Sequence, residues 1–81
     1  MTRREMLSVF SKHRIPPELF FLGPVEKAEM VNGLSWNGNQ WVVYYRERGT
    51  LFDTAYFSNE EDANEFYCKR ILELYKQLNR E

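Results

Sequence analysis

The sequence has a single cysteine, Cys68, a single histidine, His13, and only three prolines and four glycines among 81 residues. One cysteine cannot close an internal disulfide, and a secreted domain this small normally depends on two or more, so a reducing compartment is expected. No stretch approaches the roughly 18 consecutive apolar residues of a membrane span. The N-terminus opens with charge, as a secretory leader does, but its apolar residues are broken by Ser8, Ser11, Lys12 and His13, so no apolar leader core follows. These absences lead to the expectation of a soluble, cytoplasmic chain with no membrane association.

An excess of charge of one sign is also missing. Lys and Arg number 11 against 12 Asp and Glu, a net charge of −1, which argues against a dedicated nucleic-acid binder. The balance hides a segregation. Residues 1–17 carry Arg3, Arg4, Lys12 and Arg14 against Glu5, whereas residues 49–65 carry Asp53, Glu60, Glu61, Asp62 and Glu65 with no Lys or Arg. The acidic run suits a helix start, where the helix dipole favours carboxylates, and it also suits a face aimed at a basic partner.

What is present is a folding composition: 43% hydrophobic, 28% charged and 16% aromatic. Length allows one domain, residues 1–81, in which large rings must supply much of the buried area. Thr2 and Glu5 have the spacing of a capping box, and Met6, Val9 and Phe10 recur at helical intervals, predicting a helix from Thr2 to about His13 that Ile15-Pro16-Pro17 ends. Glu18 to Leu22 reads either as a short buried strand or as an extended arm across the core, stopped by Gly23-Pro24. Val25 to Trp36 has apolar residues mostly two apart and reads as a strand, bent or bulged at Asn32-Gly33. Asn37-Gly38-Asn39 is a hairpin turn, and Gln40 to Arg46, dense in β-branched and aromatic residues, is the expected central strand. Its alternation puts Trp41, Val43 and Tyr45 on one face and Val42, Tyr44 and Arg46 on the other.

Glu47 to Thr50 forms the next turn, with Gly49 left-handed, and Leu51 to Phe57 returns with Leu51, Asp53, Ala55 and Phe57 on one face and Phe52, Thr54 and Tyr56 on the other. Ser58 as N-cap with Glu61 predicts a long helix from Asn59 to about Leu78, with Ala63, Phe66, Tyr67, Ile71, Leu74, Tyr75 and Leu78 as its apolar stripe. The expected fold is α+β in α-β-β-β-α order: one antiparallel sheet of three to four strands with both helices mainly on one face.

Chemistry is sparse. His13, the sole histidine, falls at the polar end of the first helix and reads as exposed, and Cys68 reads as a half-buried helix residue rather than an activated thiol. The acidic residues lack metal-ligand spacing and no glycine motif cradles phosphate, so no metal or cofactor is expected. Pairs such as Glu60 and Glu61, or Glu47 and Asp53, are ordinary surface carboxylates, and no enzyme activity is expected. The α-β-β-β-α order is shared with double-stranded RNA-binding domains, but those need cations where this chain has Glu60, Glu61, Asp62 and Glu65, so no direct nucleic-acid contact is expected. Binding remains. The hairpin Tyr44-Tyr45-Arg46-Glu47-Arg48-Gly49 combines residue types enriched at interfaces, and helices on one face would leave Tyr44, Arg46, Phe52 and Tyr56 on an open one.

Trp41-Val42-Val43-Tyr44-Tyr45-Arg46-Glu47-Arg48-Gly49, followed by Phe57-Ser58-Asn59-Glu60-Glu61-Asp62-Ala63 and then Phe66-Tyr67, resembles the pattern of small bacterial immunity proteins of polymorphic toxin and contact-dependent growth inhibition systems. The resemblance covers residues 41–67, about a third of the chain. It implies a non-enzymatic cytoplasmic protein that binds its cognate toxin domain, often a nuclease, and blocks its active site or substrate access. Under that resemblance Asp53, Glu60, Glu61 and Asp62 would mimic a polyanion in the toxin's basic groove, with Tyr44, Arg46, Glu47, Arg48 and Tyr56 completing the contact set. A different class of function is a self-associating adaptor whose open sheet face pairs with a second copy. Monomer and dimer are both compatible with the sequence.

Overall fold

The computed structural model describes residues 1–79. Helix α1 (Arg3–Lys12) is followed by two short 3₁₀ turns (Pro17–Leu19 and Val25–Lys27), strands β1 (Val31–Trp36), β2 (Trp41–Glu47) and β3 (Thr50–Phe57), and helix α2 (Glu60–Leu78). The three strands form one antiparallel sheet in the order β1-β2-β3, so the chain has the expected α-β-β-β-α, α+β fold. Among the described residues no helix is long and apolar enough to cross a membrane.

Helix α1 starts on the capping box: Glu5 N–H donates to Thr2 Oγ1 at 3.1 Å and Thr2 N–H donates to Glu5 Oε1 at 2.8 Å. It ends with Arg14 in the left-handed region (φ 56) and Ile15 N–H returning to the Phe10 carbonyl at 2.9 Å, just ahead of the two prolines. Helix α2 starts one residue later than the sequence implied. Asn59 rather than Ser58 is the N-cap, its Oδ1 accepting from Asp62 N–H at 2.8 Å while its Nδ2 donates to Asp62 Oδ2 at 3.0 Å. The Asn59 amide thus holds both the backbone and the carboxylate of Asp62, and Glu61 takes no part in a capping box.

The segment from Phe20 to Met30 departs most from expectation. Pro24 leads into a 3₁₀ turn and Met30 takes φ 51, so the first strand begins at Val31 instead of Val25. Of the two readings for Glu18 to Leu22, the arm is the observed one. Phe21 forms a parallel bridge with Gly33, and Leu34 N–H donates to the Phe21 carbonyl at 3.0 Å, so the arm shields the outer edge of β1. Asn37 closes the β1–β2 hairpin, its Oδ1 accepting from Asn39 and Gln40 N–H at 2.9 and 2.8 Å. The β2–β3 turn places both Arg48 (φ 52) and Gly49 (φ 80) in the left-handed region, the type I′ pattern of a two-residue hairpin loop.

Two cores flank the sheet. On one face Leu34 and Val43 pack with Met6, Phe10, Ile15, Ala63, Tyr67, Cys68 and Ile71 under both helices. On the other face Val42 and Tyr44 pack with Ala28, Phe21, Val25 and Val31, contributed by the arm and the second 3₁₀ turn. The second face is therefore covered over β1 and β2, where the sequence left it open. Helix α2 is also rotated from its predicted stripe. Asn64 and Cys68 turn inward with Ala63, Tyr67 and Ile71, whereas Phe66 and Leu78 are exposed. The rotation follows from α1 packing on that flank, where Asn64 Nδ2 donates to the Met1 carbonyl at 3.2 Å.

Strand β3 carries a bulge. Val43 pairs with Ala55 and Tyr45 with Phe52, so Asp53 and Thr54 stand together opposite Tyr44, and Asp53 takes φ 51. The extra residue reverses the faces of the first part of β3. Phe52 lies with Tyr45 on the helix side, ring centroids 6.2 Å apart, and Leu51 lies on the other side with its pair partner Arg46.

Candidate functional site

The nine residues singled out from the sequence divide into three groups. Tyr44 belongs to the core. It is 0% exposed, its ring lies over Gly33, and its hydroxyl donates to the Gly23 carbonyl at 3.1 Å. A residue buried under the arm cannot contact a partner, so its place in the contact set is corrected. Arg46 is half-buried and committed to the second 3₁₀ turn, which follows the arm, through Nη1 donating to the Val25 carbonyl at 2.5 Å. No ion pair with Glu47 forms among the described residues, and Glu47 Oε1 instead accepts from Tyr45 hydroxyl at 3.3 Å.

The second group lies along the flank of β3: exposed Arg48 at the turn, exposed Asp53 at the bulge, and Tyr56, 55% exposed. The outer edge of this strand is guarded. Arg70 Nη2 donates to the Asp53 carbonyl at 2.7 Å, the same guanidinium stands 5.2 Å from the Phe66 ring centroid, and the bulge bends the middle of the edge. Bulges and capped carbonyls are the usual means by which an edge strand resists adding another strand.

The third group is the start of α2. Glu60, Glu61 and Asp62 stand in its first turn, where the helix dipole favours carboxylates. The sequence placed no cation among them, but the fold does: Arg3 Nε lies 3.1 Å from Glu60 Oε2, and the Met1 ammonium lies 3.8 Å from Glu61 Oε1. Glu60 is therefore paired with a guanidinium. Glu61, with 72% of its side chain exposed, and Asp62 carry the outward charge of the turn. Asp53 is set apart from these three, because its carbonyl is held by Arg70, eight to ten residues further along α2, or about 12–15 Å at the helical rise.

Sequence reasoning missed what lies beside this acidic turn. Trp36 and Trp41 are register partners with ring centroids 5.3 Å apart, Trp41 is the register partner of Phe57, and Phe57 lies 5.2 Å from Phe66. Four rings thus cross one end of the sheet on its helix side and reach α2 one turn after Asp62. Trp36 is 50% exposed and Phe66 39% exposed. The hairpin register was a usable signal, since a turn at residues 37–40 makes Trp36 and Trp41 neighbours. The contact between Phe66 and Phe57 depends on the rotation of α2 and left no local trace.

Three groups of the core, Tyr44, Tyr67 and Cys68, are shifted by burial. Burial pushes the Tyr44 phenol up to about 12, with Arg46 working against the shift and Glu26 adding to it. Burial also raises Tyr67, against the lowering effect of its bond from Phe21 N–H. The buried Cys68 thiol is pushed up by burial and by Glu65, the reverse of activation. In the unfolded chain both tyrosines titrate near pH 10. A phenol whose folded pKa is raised adds stability that is complete below pH 10 and is lost as pH rises through about 12. The urea midpoint should hold steady from about pH 7 to 9 and fall above pH 10, and Tyr44→Phe should make that fall shallower. A fall of equal steepness in the variant would remove Tyr44 as its source.

Among the described residues no three His, Cys, Asp or Glu side chains are grouped so as to hold a metal ion. The arrangement is thus an α+β scaffold that presents rings and carboxylates together at one end. No family model, curated protein or solved structure matches the chain.

Proposed function

We propose that the chain is an immunity protein that binds a cognate bacterial toxin domain, a basic nuclease, and neutralises it by protein–protein contact. The observation that carries the reading is the aromatic row, exposed at Trp36 and Phe66, at the end of the sheet that leads into the outward carboxylates Glu61 and Asp62. Apolar anchors rimmed by charge are the usual composition of an interface hot spot, and a basic groove is the natural counterpart of that rim. The pattern over residues 41–67 that resembles immunity proteins supplies the kind of partner. The self-associating alternative has less support, because the arm covers the sheet face it would use and the β3 edge is guarded.

The test is affinity capture from the source bacterium, with mass spectrometry and a nucleic-acid stain of the eluate. The expected result is a stoichiometric fragment of a large secreted protein, free of nucleic acid. A Glu61→Lys, Asp62→Lys variant should lose that fragment while keeping the far-UV spectrum, since Glu60 and its Arg3 pair are left in place. Recovery of RNA, or of the protein paired only with itself, would overturn the proposal.

A further inference from the structure

We infer that the aromatic row at the Trp36 end of the sheet is the docking surface for an arginine-bearing segment of the partner, an inference that rests on the partner being a basic protein. The row is apolar, made of two ring pairs joined by the strand register of Trp41 with Phe57, and open at Trp36. Its chemistry selects among cations. A guanidinium is flat, weakly hydrated and able to stack on an indole face, while its donors fork onto a carboxylate; an ammonium is compact and strongly hydrated. Both halves of that recognition are present at this end of the sheet. Trp36 offers the open ring, and β3 leads from Phe57 through two residues into the turn that carries Glu61 and Asp62.

The protein already pairs a guanidinium with this row. Arg70 stands over Phe66 at 5.2 Å, which occupies that ring from within and leaves the Trp36 end for a partner. Charge complementarity fixes the sign of the occupant. Among the described residues Glu61 has only the N-terminal ammonium at 3.8 Å, Asp62 is bonded to the neutral Asn59 amide, and Glu65 has Lys69 at 3.9 Å. A second copy of the chain would bring the same carboxylates to the same place, and like charges would oppose it.

The experiment uses the whole chain and, as probe, a short capped peptide of alternating glycine and arginine, titrated at low salt while the two indole N–H resonances are followed. The expected result is saturable movement of the Trp36 resonance and about tenfold weaker binding to Trp36→Ala, whose charge is unchanged. Trp36→Phe, which keeps a ring, should recover part of the loss, and the matching lysine peptide should bind more weakly than the arginine peptide. Equal affinity for Trp36→Ala, or for the two peptides, would reduce the contact to charge alone and overturn the inference while leaving the toxin reading intact. Absence of binding by either peptide would also overturn it, and capture of the toxin decides the proposed function independently.

Discussion

Gly33→Ala is expected to destabilise the protein by about 3 kcal/mol, enough to unfold much of a domain this small. Alanine suits a strand interior better than glycine by about 0.5–1 kcal/mol, so propensity alone has the opposite sign. The loss arises from Tyr44. A Cβ at position 33 would lie 2.3 Å from both Cζ and the hydroxyl oxygen of Tyr44, which is pinned to the Gly23 carbonyl and fully buried. The ring has nowhere to go without lifting the arm off the sheet. Urea unfolding followed by tryptophan fluorescence measures the effect, and a double-mutant cycle assigns it. Tyr44→Leu removes the obstacle at a loss of its own, and in that background Gly33→Ala should be neutral or mildly stabilising. A loss below about 0.5 kcal/mol in the natural background would show that the ring does not lie over Gly33.

Tyr67→Phe deletes one oxygen and should destabilise by about 2–3 kcal/mol. The Tyr67 hydroxyl donates to the Asn32 carbonyl at 2.7 Å and accepts from Phe21 N–H at 3.0 Å, joining α2, β1 and the arm at one buried point. The phenylalanine variant keeps the ring and its edge contact with Phe10, so packing is conserved and only the polar link is lost. The Phe21 amide would be left without its partner, which is why the effect exceeds that of an ordinary hydrogen bond. Amide exchange supplies the specific readout: Phe21 and Leu34 should lose protection together, since the Leu34 N–H depends on the arm staying in place. Tyr56→Phe, at an exposed ring, should change stability by less than about 0.5 kcal/mol. If the two substitutions had equal effects, the hydroxyl of Tyr67 would not be the link between arm and sheet.

Local signals carried far along this chain. The Thr2–Glu5 box, the paired prolines, the Asn37-Gly38-Asn39 turn and the density of β-branched and aromatic residues in β2 each act within a few residues, and each appears where the sequence placed it. The contact set was read less completely. The acidic turn stands at the start of α2 as expected, but Arg3 reaches it from 57 residues away, and Tyr44 lies under a segment whose pattern had been read as a strand. Asp53 gave no warning of a bulge, because the usual mark of a left-handed strand residue is glycine.

Sequence alone determined the α+β class, the order of the elements, the two hairpin turns and the approximate length of both helices, because capping, turn chemistry and hydrophobic period are local free energies written in adjacent residues. Tertiary structure alone decided which face of the sheet was covered, which rings met at the Trp36 end and which carboxylates were paired with a cation. Those outcomes turn on contacts such as Phe21 with Gly33, Arg3 with Glu60 and Phe57 with Phe66. Their energies exist only once the chain has closed the loops between them, and no short stretch of sequence records that closure.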